Sequence, residues 1–163
     1  MPVYSVRFNR PEEHRRPVPN PDALEQTGPC VPVHVEIPAA LAYQLEEIGE
    51  PIPAPAVGYA LVDTGASTSA VDDVVLQQLR VLPIGVTLVS TAGGQVNQPR
   101  YPGCLSFPGT HLPRLEFTRL LGVDLTGYRT DEGRTIIALL GRDVLRNFVL
   151  IYNGQDAYFT LAF

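Results

Sequence analysis

The distribution of proline most limits what this chain of 163 residues can fold into. Eleven of its sixteen prolines lie in residues 1–56, five lie in residues 83–113, and none follows Pro113. Proline lacks the backbone donor that a helix interior needs, so the proline-rich segments can hold only short helices and extended backbone. Elsewhere the sequence changes repeatedly between short apolar runs and turn residues, a pattern that is typical of strands.

The clearest strand is predicted over residues 31–37, where every second side chain is branched and aliphatic. We expect this aliphatic face to point into the core, and the polar face, which carries His34, to point outward. A second apolar run over residues 57–62 ends at Asp63. The two runs are expected to pair as a hairpin whose connection is enlarged by residues 38–56.

Further strands are predicted at short intervals, over residues 86–90, 96–107, 115–121, 135–139, 148–152 and 157–163. Residues 39–48 have helix-forming composition, and the prolines at 51, 53 and 55 prevent a longer helix. Short helices are also predicted over residues 70–79, with Ser69 as the cap, and over residues 141–147. The expected fold class is therefore all-β with one or two short helices. The length suits one domain, which we assign to residues 31–163, preceded by a Pro- and Arg-rich extension over residues 1–30.

All twelve Lys and Arg residues of the chain are arginines, so the chain has no lysine. The missing lysine amine excludes Schiff-base and pyridoxal chemistry, a Walker-type phosphate loop and a Ser-Lys dyad. General acid–base catalysis therefore falls to Asp, Glu, Tyr, Cys or the three histidines. The formal net charge of −5 argues against a nucleic-acid partner, because binding to phosphates needs a basic surface.

The two cysteines, Cys30 and Cys104, form no Cys-x-x-Cys pair, and we predict no metal site. The start of the chain lacks the basic and apolar pattern of a signal peptide. No stretch approaches the roughly 20 apolar residues of a membrane span. We therefore expect a soluble, cytoplasmic protein with free thiols, no cofactor and no membrane partner.

The strand over residues 57–62 leads directly into Asp63-Thr64-Gly65. Such a strand end can deliver a carboxylate into a cleft, and the glycine lets backbone and a second carboxylate approach closely. Two adjacent carboxylates share one proton, so one can polarise a carbonyl while the other accepts a proton from an attacking water. The tripeptide alone is also compatible with a turn in which the aspartate only caps its own loop.

Three segments in order make the chain resemble the retropepsin-like aspartic peptidases, which include retroviral proteases and single-domain bacterial relatives. Residues 61–67 (Leu-Val-Asp-Thr-Gly-Ala-Ser) resemble the active-site loop of that family, and residues 90–95 (Ser-Thr-Ala-Gly-Gly-Gln) resemble its glycine-rich flap. Residues 138–145 (Ala-Leu-Leu-Gly-Arg-Asp-Val-Leu) are similar to its second signature. The resemblance covers residues 31–163 and implies an acid-protease fold, which is a closed β-barrel, and the hydrolysis of peptide bonds.

The resemblance also implies a role for individual residues of these segments. Catalytic roles fall to Asp63, Thr64 and Gly65. Contact with the peptide or protein substrate falls to Ala66, Thr91, Ala92, Gly93 and Gly94. Structural support beneath the active-site loop falls to Ser67, Leu140, Gly141, Arg142 and Asp143.

The single Asp-Thr-Gly means that a complete carboxylate pair requires a homodimer with one Asp63 from each subunit. Viral relatives often hold a carboxylate at the position of Ser67, where it pairs with the arginine equivalent to Arg142. Without it, we expect Arg142 to bind a backbone carbonyl or Asp143, and Asp143 to cap the following helix. The alternative function is a dimeric peptide-binding module that hydrolyses little, which blockage of the cleft by residues 38–56 would favour.

Overall fold

The computed structural model describes residues 3–11, 16–91, 93–130 and 133–163. Its strands are β1 (Val3–Arg7), β2 (Asn9–Arg10), β3 (Val18–Pro19), β4 (Cys30–Glu36), β5 (Ala56–Val62), β6 (Ala70–Asp72), β7 (Gly85–Thr91), β8 (Gly94–Ser106), β9 (Leu115–Val123), β10 (Ile136–Leu140), β11 (Val149–Asn153) and β12 (Tyr158–Ala162). Its helices are α1 (Pro21–Thr27), α2 (Ala39–Glu47), α3 (Asp73–Gln78) and α4 (Arg142–Leu145). The predicted all-β class is confirmed.

The large sheet has seven strands in the order β4-β5-β10-β6-β9-β8-β7. Strand β4 also pairs with β8, so the hydrogen bonding of six strands runs in a ring, and β7 extends from β8 as a hairpin. The β5–β10 and β6–β9 pairs are parallel, and the other pairs of this sheet are antiparallel. A separate sheet has the order β1-β12-β11, and β2 pairs with β3.

The predicted alternation in β4 is confirmed by its burial. The aliphatic residues Val31, Val33 and Val35 have no exposed surface, and His34 on the opposite face is partly exposed. Strand β4 pairs with β5 in antiparallel register, as expected for a hairpin with an enlarged connection. That register brings the end of β5, and with it Asp63, against the centre of the large sheet.

The described residues of the N-terminal extension, 3–11 and 16–30, contribute both a strand and core side chains to the same packed unit. Strand β1 pairs along its whole length with β12, and the buried Phe8 donates from its backbone to the Ala157 carbonyl at 2.8 Å. Leu24 on α1 is fully buried in the main core. This part of the chain therefore stabilises the fold of the β domain.

The described residues form four helices, so the expectation of one or two was too low. The additional helix α1 begins where proline favours a helix: Pro21 occupies its first turn, and the Asn20 side chain accepts from the Ala23 backbone N–H. Helix α2 lies in the 38–56 insertion and packs Leu41 and Leu45 against the core. The helix-forming composition of residues 39–48 agrees with α2, whereas α1 was not predicted.

The expected helix over residues 70–79 with Ser69 as its cap was wrong at its beginning. Residues 70–72 form β6, between β10 and β9, and α3 starts only at Asp73. The cap is Asp72, whose carboxylate accepts from the Val74 backbone N–H at 2.9 Å and from the Leu125 backbone N–H at 3.1 Å. Because Asp72 is buried, both donors depend on it.

Replacement of Asp72 by alanine should lower the free energy of unfolding by about 2 kcal/mol, because one substitution removes a helix cap and leaves a loop N–H unsatisfied. The control is Glu25→Ala, which removes an exposed carboxylate from the middle of α1 and should change stability by less than about 0.5 kcal/mol. Urea-induced unfolding at one fixed protein concentration measures both. Equal stability of the two variants would contradict the role assigned to Asp72.

Candidate active site

The Asp63 carboxylate lies at the end of β5, in a tight turn formed by its own loop. Its Oδ1 atom accepts from the backbone N–H groups of Gly65 at 2.9 Å and Ala66 at 3.2 Å. The Asp63 backbone N–H donates to the Leu140 carbonyl at 2.9 Å, so the neighbouring strand β10 fixes where the loop begins. Within the described part of the chain, Oδ2 of Asp63 has no hydrogen-bond donor.

Gly65 is required by the closeness of this turn. A Cβ atom at Gly65 would lie 3.1 Å from Oδ1 of Asp63, on the oxygen that receives two backbone donors. Thr64 and Gly65 are exposed, and Asp63 and Ala66 are partly exposed. The turn that the tripeptide alone allows as an alternative is therefore present. It leaves one carboxylate oxygen and the Thr64 hydroxyl without a partner in the described part of the chain.

Arg142, at the start of α4, holds the far side of the same loop. Its Nη1 atom donates to the Thr64 carbonyl at 2.8 Å and to the Gly65 carbonyl at 2.9 Å. Its backbone N–H donates to the Ala66 carbonyl at 2.9 Å. Of the two partners expected for Arg142, the backbone carbonyls are the ones observed.

Ser69, which follows the Asp63 loop, is hydrogen-bonded to Asp143 of α4 and so links these two segments. We call these two residues the Ser69–Asp143 pair. The Ser69 hydroxyl donates to Oδ1 of Asp143 at 2.7 Å, and the Ser69 backbone N–H lies 3.0 Å from both carboxylate oxygens. The same hydroxyl accepts from the Gly141 backbone N–H at 2.9 Å. Ser69 is fully buried, so these contacts are protected from water.

The predicted cap role of Asp143 needs correction. Gly141 occupies the cap position of α4, and the Asp143 carboxylate, inside the first turn, accepts from Val144 N–H at 2.9 Å in addition to Ser69. A Cβ atom at Gly141 would lie 2.7 Å from the backbone carbon of Thr68. Because Gly141 has no side chain, its backbone can pack directly on the backbone of Thr68. Leu140 is buried beside it.

The predicted flap corresponds to the hairpin of β7 and β8. Its strands pair from Gly85 opposite Arg100 as far as Thr91 opposite Gly94. At its tip the Thr91 hydroxyl donates to the Gly94 carbonyl at 2.8 Å and accepts from the Gly93 N–H at 3.2 Å. Ala92, also predicted to contact substrate, lies outside the described residues.

Two clefts lie between this hairpin and the loop that follows Asp63. One, of about 300 Å³, is lined by Ser67, Thr68, Thr87, Leu88, Val89, Ser90 and Leu121. The other, of about 330 Å³, shares Thr68, Thr87 and Leu121 with it and continues towards β9. No residue of the 38–56 insertion lines either cleft, so the blockage that would favour the binding-module alternative is not observed.

Tyr101 and Asp73 form a second polar contact close to the base of the hairpin. The buried Tyr101 hydroxyl donates to Oδ1 of Asp73 at 2.5 Å. Burial and this hydrogen bond raise the pKa of Tyr101 to about 12, so it stays a neutral donor over the whole physiological range. This contact joins β8 to α3, and no sequence pattern predicted it because 28 residues separate the two side chains.

Sequence reasoning identified every residue of the loop contacts except Ser69, which it had assigned to a helix cap. A serine just before a run of Asp and Val residues has the sequence pattern of a cap, and only the tertiary structure turns it towards Asp143. A signal was nevertheless present, because Ser69 lies two residues beyond a loop that was expected to pack on Gly141. The described residues contain no cluster of three or more His, Cys, Asp or Glu that could hold a metal ion.

No protein-family model matches the sequence, and no curated protein matches it significantly. Among the described residues, no helix has both the length and the apolar character needed to cross a membrane. Cys30 and Cys104 are both buried and are not joined by a disulfide. Burial raises the pKa of Cys104 to about 12, which makes its thiol a poor nucleophile.

Substitution of Ser69 by alanine should lower the free energy of unfolding by about 2–3 kcal/mol, because it removes a charge-assisted hydrogen bond and leaves the Gly141 N–H without its acceptor. Ser67→Ala is the matched control, since Ser67 is exposed and uses only its backbone carbonyl, and it should change stability by less than about 0.5 kcal/mol. Urea-induced unfolding measures both. A Ser69 variant as stable as the Ser67 variant would refute the importance of the Ser69–Asp143 pair.

Proposed function

We propose that the chain is one subunit of a homodimeric aspartic endopeptidase with the retropepsin-like fold, in which the ring of strands is the acid-protease barrel. The observation that carries the proposal is the linkage of the two signature segments. Arg142 binds the carbonyls of Thr64 and Gly65, while the Ser69–Asp143 pair ties the loop to α4. An aspartate that served only as a turn former would need none of this support from a segment 78 residues away.

The features of the loop that remain uncommitted fit a partner subunit. Oδ2 of Asp63 and the exposed Thr64 hydroxyl have no hydrogen-bond partner within the described residues. A second Asp63 placed against the first would complete the carboxylate pair, and each Thr64 hydroxyl could then bind across the two-fold axis. The single Asp-Thr-Gly of the chain makes such a partner necessary for catalysis.

Strand β11 supports the same assembly. It is an edge of the β1-β12-β11 sheet, and its exposed side chains include Val149 and Ile151, at 58% and 47% exposure. An exposed edge strand with apolar side chains is a template for pairing with another chain. A second copy of this chain is the occupant that the proposed catalysis already requires.

Catalysis in the dimer would follow from one shared proton. Two carboxylates within hydrogen-bond distance cannot both ionise, so one Asp63 is protonated and the other is charged. The charged carboxylate takes a proton from the attacking water, and the protonated one donates to the carbonyl oxygen of the scissile peptide. The tetrahedral intermediate collapses when the carboxyl that took the water proton gives it to the amide nitrogen and the C–N bond breaks, releasing the amine. The other carboxylate takes back a proton from a hydroxyl of the intermediate, which becomes the new carboxylic acid, and the pair again holds one proton. The β7–β8 hairpin would cover the substrate and exclude bulk water.

Replacement of Asp63 by asparagine should lower peptide hydrolysis by at least about a thousandfold, because an amide cannot accept the proton of the water. Folding should persist, since the asparagine Oδ1 can still accept from the Gly65 and Ala66 N–H groups. Asp22→Asn, at an exposed position in α1, is the control and should keep full activity. The assay is cleavage of a mixed peptide library between acidic and neutral pH, analysed by mass spectrometry.

The outcomes separate the two functions considered. Cleavage by wild-type protein that persists in the Asp63 variant would refute the proposed catalysis. Binding of library peptides without any cleavage by wild-type protein would favour the peptide-binding module.

Introduction of a charge into the β11 edge should abolish both dimer formation and activity. We expect Ile151→Glu to sediment as a monomer and to lose hydrolysis, because two charged edges cannot pair. Ile48→Glu, in the 38–56 insertion and 71% exposed, is the matched control and should remain an active dimer. Sedimentation velocity and peptide cleavage are measured at the same concentration. An active Ile151→Glu monomer would exclude a catalytic pair shared between subunits.

A further inference from the structure

The larger of the two clefts beside the active-site loop has an unusual set of charges. Arginines Arg100 and Arg119 line it together with the carboxylates of Glu116 and Asp143. The carboxylates already have partners: Glu116 pairs with Arg114 at 3.0 Å, and Asp143 accepts from Ser69 and Val144. The guanidinium groups of Arg100 and Arg119 make no hydrogen bond or ion pair with the described part of the chain. The cleft therefore carries as many formal negative charges as positive ones, but within the described residues its two guanidinium groups are the charged groups left without a hydrogen-bonding partner.

Arg100 is the more informative of the two arginines. Its Nε atom is buried and has no hydrogen-bond partner, and no other buried side-chain nitrogen or oxygen of the described residues shares that state. Native structures rarely leave such a donor unsatisfied, so this one calls for an explanation. Because Nε is itself buried, a group bound in the cleft would meet the terminal nitrogens of the same guanidinium. The backbone also makes room for the group, because a Cβ atom at Gly85 would lie 2.8 Å from Nη2 of Arg100.

The position of the cleft relates it to a bound peptide. Thr68, which lines it, lies five residues after Asp63 on the same loop, and Thr87 lies on the hairpin that faces that loop. An extended peptide rises about 3.3 Å per residue, so a cleft that begins at Thr68 is within about five residues of the scissile bond. Threonine hydroxyls at its wall add neutral donors that suit an oxygen-rich group.

We infer that this cleft is a specificity subsite for an acidic side chain, glutamate or aspartate, of the substrate, held by Arg100 and Arg119. The inference rests on the proposed function, since it assigns a preference to the same peptide-binding surface. Arginine suits the task because its planar, permanently charged fork matches the geometry of a carboxylate.

The test uses pairs of synthetic peptides that differ only by Glu or Gln at one position, up to five residues on either side of a cleavage site found in the library. The peptides carry amidated C-termini, so a terminal carboxylate cannot be the group recognised. With wild-type protein, we expect kcat/KM to favour Glu at one position by about tenfold or more, as for a hydrogen bond to a charged group. Arg100→Gln and Arg119→Gln should each reduce this preference severalfold.

The control is Arg146→Gln, which removes an exposed arginine at the end of α4 that lines neither cleft, and it should keep the wild-type preference. Arg119 is exposed, so we expect Arg119→Gln to fold. If circular dichroism shows that Arg100→Gln does not fold, Arg119→Gln alone tests the preference for glutamate. Equal rates on Glu and Gln peptides at every position would overturn the inference. So would a Glu preference that both substitutions leave unchanged.

Failure of the proposed function gives a separate result. If wild-type protein cleaves no peptide, Glu and Gln pairs are made instead from library peptides that it retains, and their binding is measured by fluorescence anisotropy. Tighter binding of Glu peptides that Arg119→Gln removes would support the subsite in a protein that is not a peptidase. Equal binding of both members of every pair, or no binding, would overturn the subsite as well.

Discussion

The buried Ser69–Asp143 pair is the contact on which the rest of the candidate site depends. One carboxylate accepts from the Ser69 hydroxyl, the Ser69 N–H and the Val144 N–H, and the same hydroxyl accepts from Gly141. These groups keep their hydrogen bonds only while β6 and α4 hold their relative positions. A displacement would be unfavourable, because a buried donor or acceptor left without its partner costs about 1–3 kcal/mol. The two signature segments, far apart in sequence, are therefore fixed together as one unit.

That fixed unit explains why an exposed arginine can orient the loop. A guanidinium in water usually contributes little to stability, because its side-chain entropy opposes a fixed geometry. Arg142 starts from a helix whose position is already set by Asp143, so its Nη1 atom reaches two loop carbonyls with little further loss of freedom. Asp63 is then held from both sides, by its own turn and by the carbonyl of Leu140 behind it. Preorganisation of this kind is what a carboxylate needs in order to act as an acid or base.

Features with a local cause could be predicted from the sequence, and features with a tertiary cause could not. The alternation in β4 depends on a few neighbouring residues and was predicted correctly. The turn after Asp63 has an equally local cause, and the tripeptide alone indicated it as an alternative. The start of α3 was misplaced because Ser69 and Asp72 are both good caps, and the choice between them is made by β9 and β10, which pair with residues 70–72. The ring of strands depends on the contact between β4 and β8, whose paired residues are about 70 positions apart. No local pattern contains that information.

Three polar groups that lack a partner among the described residues lie in the candidate active-site loop and in the cleft beside it. In the core, the buried side chains of Ser69 and Asp72 each form hydrogen bonds with more than one partner. By contrast, Oδ2 of Asp63, the Thr64 hydroxyl and the guanidinium of Arg100 lack partners among the described residues, and they belong to the active-site loop and to the cleft beside it. A sequence selected for stability alone would pair these groups or replace them. Their persistence beside a rigid support is expected if their partners are supplied from outside the chain: a second Asp63, a second Thr64 and a carboxylate of the substrate.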